Sequence, residues 1–248
     1  MQVFSGHMGP VQAGTFTPDG KRLVTASEDG SLILWDPRSA SPIWKLFAED
    51  ARFGIANGIT SLAVNAAGTV AVVGGANGEV RVINTNKGEV LGKLEGHSEG
   101  ESIEAIEFLE LGGGSANAGI VATGGTDGRV CIWDLTTMRL RVSVAHSVSR
   151  ETQENHIISF WIIRLITGLR QGSITSLVSH TAPKAHLITS ASADRSLKTW
   201  DARSGSLLRE HTGHHGLINA VTIGLGAGGK DVLLSAGDEG VCLVYDVE

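Results

Sequence analysis

The sequence predicts an all-β fold of repeated four-stranded antiparallel units, a β-propeller, and three observations carry that prediction. The dipeptide Trp-Asp returns at 35–36, 133–134 and 200–201, each time closing a stretch that reads apolar strand, acidic turn, second strand. Residues 27–36, 125–134 and 192–201 are three such copies, and weaker ones end at Ile83-Asn84 and Tyr245-Asp246. A recurring unit of roughly 40–45 residues with this ending is the signature of propeller blades. Glycine supplies 33 of 248 residues, well above the ~7% average, as many tight turns between short strands require.

Each element follows from the alignment of the units. First strands at Val11–Phe16, Ile59–Val64, Ile103–Phe108, Ile174–Ser179 and Ile218–Ile223 share one pattern: apolar, polar, small, mostly apolar, variable, mostly apolar. Glycine- or proline-bearing turns follow, as in Pro18-Asp19-Gly20, Ala67-Gly68, 112–114, Ala182-Pro183 and 226–229. Second strands are expected at 22–27, 70–74, 120–124, 187–191 and 232–236, and third strands end at Trp-Asp or its substitute. Fourth, outer strands are expected at Pro42–Phe47, Val90–Leu94, Arg141–Ala145 and Leu207–His211. Four short antiparallel strands make one blade, giving five recognisable blades at about 5–48, 49–95, 96–145, 172–212 and 213–248.

The period also exposes an anomaly. Positions 35, 83, 133, 200 and 245 lie 48, 50, 67 and 45 residues apart. Removing the 24 residues Val148–Gln171, which match nothing in the other blades, restores a spacing of 43 and joins His146-Ser147 to Gly172-Ser173-Ile174. Val-Ser translates a GTGAGT donor, Gln translates a CAG acceptor, and 24 codons keep the frame, so 148–171 is expected to be a retained intron in a gene model. An inserted amphipathic helix and a lineage-specific loop are the alternatives. At the start, Gln2-Val3-Phe4 is expected to be the end of an outer strand, and the five blades to be a fragment of a seven- or eight-bladed ring.

Net charge is -6 with pI ≈ 5.8, which disfavours direct nucleic-acid or anionic-membrane binding and suits basic partners. Cys131 and Cys242 make neither a disulfide framework nor a zinc site. No apolar run reaches the ~20 residues a spanning helix needs. No cofactor, metal or homo-oligomer is expected.

Gly6-His7, Gly96-His97 and Gly213-His214 stand before first strands, and together with the Trp-Asp endings they make the chain resemble the WD-repeat family. That resemblance implies a hydrogen-bonded relay of Trp, a Ser or Thr, the Gly-His imidazole and the turn Asp. Here it comprises Trp35, Thr25, His7 and Asp29 in the first blade, and Trp133, Thr123, His97 and Asp127 in the third. The fourth has Trp200, Ser190, His146 and Asp194, with Ala145 where the family prefers Gly. In the second, Ile83, Val73 and Asn77 leave no relay. The fifth is partial, with Tyr245, Ser235, Glu239 and His214. A hydroxyl, a His and an Asp resemble a nucleophilic triad, but a set that recurs blade after blade satisfies buried polar atoms rather than performs catalysis. No nonrepeating constellation of acid, base and nucleophile exists to make an enzyme. His211, His214 and His215 lack the Cys or carboxylate that a metal set would need.

Residues 58–64, 70–78, 94–108, 122–128 and 236–244 go further than the general repeat. They are similar to the family of the fungal ribosome-assembly WD protein and its animal relative, the angio-associated migratory cell protein. That resemblance implies a dedicated, non-enzymatic chaperone that holds a basic segment of a large-subunit ribosomal protein (universal large-subunit protein sixteen) on an acidic propeller face. The residues support such chemistry by themselves. Between Leu94 and Gly128 there is no Lys or Arg, while Glu95, Glu99, Glu101, Glu104, Glu107, Glu110 and Asp127 contribute −7. Glu95, Glu99 and Glu101 are expected on a loop of the narrow face, and Glu104 near the channel rim, aligned with Gln12, Thr60, Thr175 and Asn219. Glu28, Glu49, Asp50, Glu79 and Asp238 fall on equivalent loops or turns and complete the expected partner-binding set, whereas Glu107 and Glu110 approach the opposite face. Two alternatives remain. Trp35-Asp-Pro-Arg38 and Trp200-Asp-Ala-Arg203 resemble the pattern by which substrate receptors grip a cullin-type ubiquitin ligase adaptor. A membrane or cytoskeletal signalling scaffold, as suggested for the animal relative, is the other. The expected location is cytoplasmic, with a nuclear pool.

Overall fold

A computed structural model describes residues 2–50, 52–55, 57–111, 119–146, 172–226 and 230–247. The expected insertion at 148–171 lies outside the described residues, as do the turn residues 112–114 and 227–229.

Nineteen strands form five antiparallel sheets, with no helix among the described residues. The first sheet takes β1 (Val11–Phe16), β2 (Leu23–Ser27), β3 (Leu32–Asp36) and β4 (Ser41–Leu46) in sequence order. The second takes β5 (Ile59–Val64), β6 (Val70–Gly75), β7 (Val80–Asn84) and β8 (Glu89–Leu94). The third takes β9 (Ile103–Leu109), β10 (Ile120–Gly125), β11 (Arg129–Asp134) and β12 (Arg139–Ala145). The fourth takes β13 (Ile174–Ser179), β14 (Leu187–Ser192), β15 (Leu197–Asp201) and β16 (Leu207–His211). The fifth has three strands, β17 (Ile218–Leu225), β18 (Asp231–Gly237) and β19 (Cys242–Asp246).

The repeated dipeptide has a local cause. Asp36, Asn84, Asp134 and Asp201 each accept the backbone N–H two residues on, at 2.9, 3.0, 2.9 and 2.8 Å. The carboxylate or amide thereby closes the turn into the outer strand. Just before it the outer ladder slips by one residue in all four complete blades, at Leu34/Trp35, Val82/Ile83, Ile132/Trp133 and Thr199/Trp200. Such a bulge adds twist, and blades need a strong twist to pack face to face.

Four joints hold the blades together, and β1, β5, β9, β13 and β17 pack side by side as the inner row. Leu34, Val24 and Leu32 meet Phe53, Ile59 and Ile83 at the first joint, and Val72 and Val82 meet Ile103 and Trp133 at the second. Ala122 and Ile132 meet Ile188 and Trp200 at the third. At the second joint the chains come very close: a Cβ on Gly74 would stand 2.5 Å from Cβ of Ile103. The turns before β8, β12 and β16 also dock on the preceding blade. Gly88, at φ +67, lies under the Trp44 ring, whose indole donates to Thr85 O at 2.8 Å.

One expectation is corrected here. Residues 2–4 form no strand. Gln2 Nε2 instead donates to Arg38 O at 2.7 Å, and Phe4 stacks edge-on over Trp35 at 5.5 Å. Phe4 thereby helps to cover the Trp35 ring, which is 1% exposed.

Candidate protein-binding face

In every blade the turn between the second and third strands is tied to the loop that enters the first. Glu28 N donates to Pro10 O at 3.0 Å, Ala76 N to Gly58 O at 3.0 Å, and Thr126 N to Ser102 O at 2.8 Å. Ala193 N donates to Ser173 O and Asp238 N to Leu217 O, both at 2.9 Å. Because consecutive strands are antiparallel, these loops and turns all lie at one end of the blades, and that end carries the relays and the expected carboxylates.

The relays are built differently from blade to blade. In the third, Trp133 Nε1 donates to Thr123 Oγ1 at 2.8 Å, His97 Nε2 meets the same hydroxyl at 2.7 Å, and His97 Nδ1 sits 3.1 Å from both Asp127 oxygens. Burial opposes charge on His97, but the Asp127 carboxylate, with the Cys131 sulfur adding to it, outweighs burial and raises the imidazole to about 9. This relay therefore carries an imidazolium–carboxylate pair.

The first blade departs from the expected direct His7–Asp29 contact. His7 Nδ1 meets Ser31 Oγ at 2.6 Å, Ser31 Oγ donates to Asp29 Oδ1 at 2.5 Å, and His7 is 3.8 Å from that oxygen. With Ser31 interposed, burial wins and Lys45 adds to it, so His7 lies below its ordinary value. Trp35 Nε1 and His7 Nε2 still share Thr25 Oγ1 at 2.7 Å each.

The fourth blade differs again. Trp200 Nε1 reaches Ser190 Oγ at 2.9 Å and His146 Nδ1 reaches Asp194 at 2.8 Å, but His146 Nε2 meets the Ser190 carbonyl at 3.4 Å instead of its hydroxyl. In the fifth, His214 links Ser235 Oγ at 2.6 Å and Glu239 at 2.5 Å, and Tyr245 donates to Thr212 O at 3.4 Å.

The second blade replaces its relay with an apolar plug. A Cβ on Gly125 would meet His97 Nδ1 at 2.9 Å; on Gly75, the corresponding glycine, it would meet Ile55 Cγ2 at 2.9 Å. Phe53 and Ile55 are fully buried there beside Val73 and Ile83. Arg81 anchors the plug by donating from Nε to Phe53 O at 2.7 Å and from Nη2 to Gly54 O at 3.4 Å.

The carboxylates divide into presented and engaged groups. Glu49, Glu99, Glu104 and Asp238 are exposed. Glu28 is exposed and accepts a hydrogen bond from Gln12 Nε2, and exposed Asp50 caps its own loop through Phe47 N at 2.9 Å. Three members of the set are engaged within the chain or turned inward. Glu79 turns inward, with its Oε2 buried against Gly75 and unpartnered among the described residues. Glu101 is half-buried and accepts from Thr126 Oγ1 at 2.9 Å. Glu95 is paired at 2.5 Å with Lys93, one residue outside the Lys-free stretch, and that ammonium holds its carboxyl below the usual range. Asp127 belongs to the buried relay. Glu107 also differs from a plain surface charge: it accepts from Ser179 Oγ at 2.6 Å across the third joint, and burial pushes its carboxyl up.

Two structural contributors had no recognised role in the sequence. Thr60 Oγ1 donates to Ile103 O at 2.6 Å and Thr175 Oγ1 to Ile218 O at 2.5 Å, tying neighbouring inner strands. Glu104 occupies the same position without such a donor, so it projects from the rim. The shared second position of the first-strand pattern was the available signal. Among the described residues no group of three or more His, Cys, Asp or Glu can hold a metal, and no helix is long and apolar enough to cross a membrane.

Comparison with known proteins agrees with this architecture. The family described as WD domain, G-beta repeat matches residues 1–36 and 88–134. An uncharacterised WD repeat-containing protein of Schizosaccharomyces pombe is 32% identical over 100% of this chain and 55% of its own length. The human angio-associated migratory cell protein is 27% identical over 86% of this chain and 44% of its own length. The chain thus spans about half the length of these curated relatives. Among solved structures, Chaetomium thermophilum Sqt1 bound to the N-terminus of the ribosomal protein L10 superposes with a TM-score of 0.74 at 26% identity, covering 99% of this chain and 61% of that one. The RRP9 WD40 repeats superpose at 0.75 with 16% identity, over 100% and 63%, which bears on fold alone. The recurring Trp-Asp turns, the four-stranded blades and these matches place the chain in the WD-repeat family.

Proposed function

We propose that the chain is a non-enzymatic binding protein whose acidic narrow face holds a short basic segment of a large-subunit ribosomal protein, as a dedicated chaperone in assembly of that subunit. The observation that carries this reading is the set of exposed carboxylates at one end of the first, second, third and fifth blades: Glu28, Glu49, Asp50, Glu99, Glu104 and Asp238. The similarity to Sqt1, solved with the N-terminus of ribosomal protein L10, supports it. The resemblance to the ribosome-assembly WD proteins points to universal large-subunit protein sixteen as the partner, met in the cytoplasm with a nuclear pool.

Lysines and arginines of an extended segment would meet these carboxylates in charge-assisted hydrogen bonds. Exposed pairs contribute only ~0–1 kcal/mol each, so affinity requires several acting together, and the collective field chiefly accelerates encounter. A basic ribosomal peptide titrated against the full chain tests this. Glu99→Lys with Glu104→Lys should weaken binding at least tenfold at low salt, whereas Glu110→Lys, on an exposed residue at the other end of β9, should have little effect. Equal losses in both proteins, or binding indifferent to ionic strength, would remove the acidic face from the mechanism.

A second reading rests on one observation. Arg38 and Arg203 are both exposed, and Asp36 and Asp201 accept from their backbone amides, so both side chains stand at the surface where a ligase adaptor would meet them. Recovery of such an adaptor, without ribosomal protein, in material purified through this chain would favour that reading.

A further inference from the structure

The joint between the fourth and fifth blades is chemically unlike the other three. At each of those, the residue before the relay hydroxyl and the residue before the Trp or its substitute form an apolar cross-strand pair: Val24–Leu34, Val72–Val82 and Ala122–Ile132. In the fourth blade the same register pairs Thr189 with Thr199. The outer-strand position that completes the column is Leu46, Leu94 or Val144 elsewhere and His211 here.

The result is a continuous polar column inside the joint. His180 Nε2 meets Thr189 Oγ1 at 2.8 Å, Thr189 Oγ1 meets Thr199 Oγ1 at 2.8 Å, and Thr199 Oγ1 meets His211 Nε2 at 3.4 Å. All four residues are buried, at 3%, 0%, 6% and 6% exposure. His211 then meets the Tyr245 ring of the fifth blade edge-on, with ring centroids 5.1 Å apart. At the other end, His180 Nδ1 is buried with no partner among the described residues. The apolar core at this joint is correspondingly small, five buried residues against eleven at the joint before it.

We propose that this column is an acid-sensitive hinge, along which the fifth blade separates from the fourth while the other joints stay closed. The two imidazoles are the titrating elements, since histidine changes charge in the range where cellular compartments differ. His180 faces the Lys184 ammonium and the His186 ring from its own connection, Asp231 from β18 and His211 from β16. Burial first, then Lys184, hold it down to about 4, with Asp231 opposing. His211 faces Arg209 and is lowered by burial and by that guanidinium.

Well above pH 6.5, the ordinary histidine value, both rings are neutral whether the joint is open or closed, and the column is intact. As pH falls below 6.5 the open form accepts protons that the closed form refuses, so opening becomes progressively favoured. For His180 alone, ordinary and buried values of 6.5 and about 4 raise the opening constant roughly thirtyfold at pH 5.

Hydrogen exchange of the full chain at pH 7.5 and pH 5.0, corrected for intrinsic rates, reads this opening blade by blade. Protection of β17–β19 should fall on the order of thirtyfold, while β5–β8 should change less than threefold. The variant His180→Leu, Thr189→Ala, Thr199→Ile, His211→Val should abolish the difference. His180→Leu alone should reduce it at least tenfold, and it serves if the fourfold variant does not fold. Protection lost equally in all blades overturns the inference. So does a β17–β19 loss that persists in these variants, which would trace it to another group such as His214.

Discussion

Replacing Asp127 by Asn tests whether the third-blade relay carries a charge. The amide keeps the shape of the turn and can still accept from His97 Nδ1, 3.1 Å away, and from Arg129 N at 3.0 Å. What it removes is the negative charge that holds the imidazolium, together with the acceptor for Ser98 N at 3.0 Å, a loss that does not vary with pH. His97 is raised from 6.5 to about 9, and its side chain is 1% exposed, so little solvent screening reduces the effect. A group raised this far contributes stability fully present below pH 6.5 and lost as pH rises through about 9, on the order of 3 kcal/mol at most. Because the Cys131 sulfur shares in raising His97, urea unfolding should show Asp127→Asn losing ~1–3 kcal/mol at pH 6. That is a midpoint shift of up to about 1 M for a slope near 3 kcal/mol per M, and the charge-dependent part should disappear at pH 10. Asp29→Asn in the first blade supplies the contrast, because Ser31 stands between Asp29 and His7 and burial holds that imidazole below its ordinary value. Its cost should be nearly flat across the same range. If Asp127→Asn costs the same at pH 6 and pH 10, the imidazole is neutral and the charged-relay argument is wrong.

Two further outcomes follow from packing at the joints. Gly74→Ala would place a methyl group 2.5 Å from Ile103 Cβ and 2.6 Å from Ser61 Oγ; overpacking of this kind should cost ~1–3 kcal/mol, and an unchanged melting temperature would mean that the joint yields. Glu107→Gln keeps an acceptor for Ser179 Oγ at 2.6 Å and removes a charge that burial disfavours. Since its folded value lies above the ordinary carboxylate value, the native charge costs stability above that ordinary value and not below it. The substitution should be neutral or stabilising at pH 7, with the gain vanishing near pH 4, and a clear loss at pH 7 would contradict this.

The strands were legible in the sequence because they are set by local chemistry. The Asp or Asn of each ending closes a turn two residues away, and the first strands at 11–16, 59–64 and 174–179 coincide with those in the structure. The five-unit plan followed from the repeat for the same reason: each unit restates its turns and its alternation within about 45 residues.

The fine structure of the binding face was decided only in three dimensions. Glu79 and Glu99 read alike as loop acids, yet one turns inward against Gly75 and the other is exposed. Whether His7 reaches Asp29 directly depends on where Ser31 stands, 24 residues from that histidine. Glu107 finds Ser179 at a separation of 72 residues, across a joint that no local pattern encodes. The polar column of the fourth blade likewise consists of ordinary strand residues until sheet register aligns them. Backbone turns and strand alternation are fixed by neighbours along the chain. The partners, burial and charge of a side chain depend on which blade packs against it, and only the assembled blades determine that.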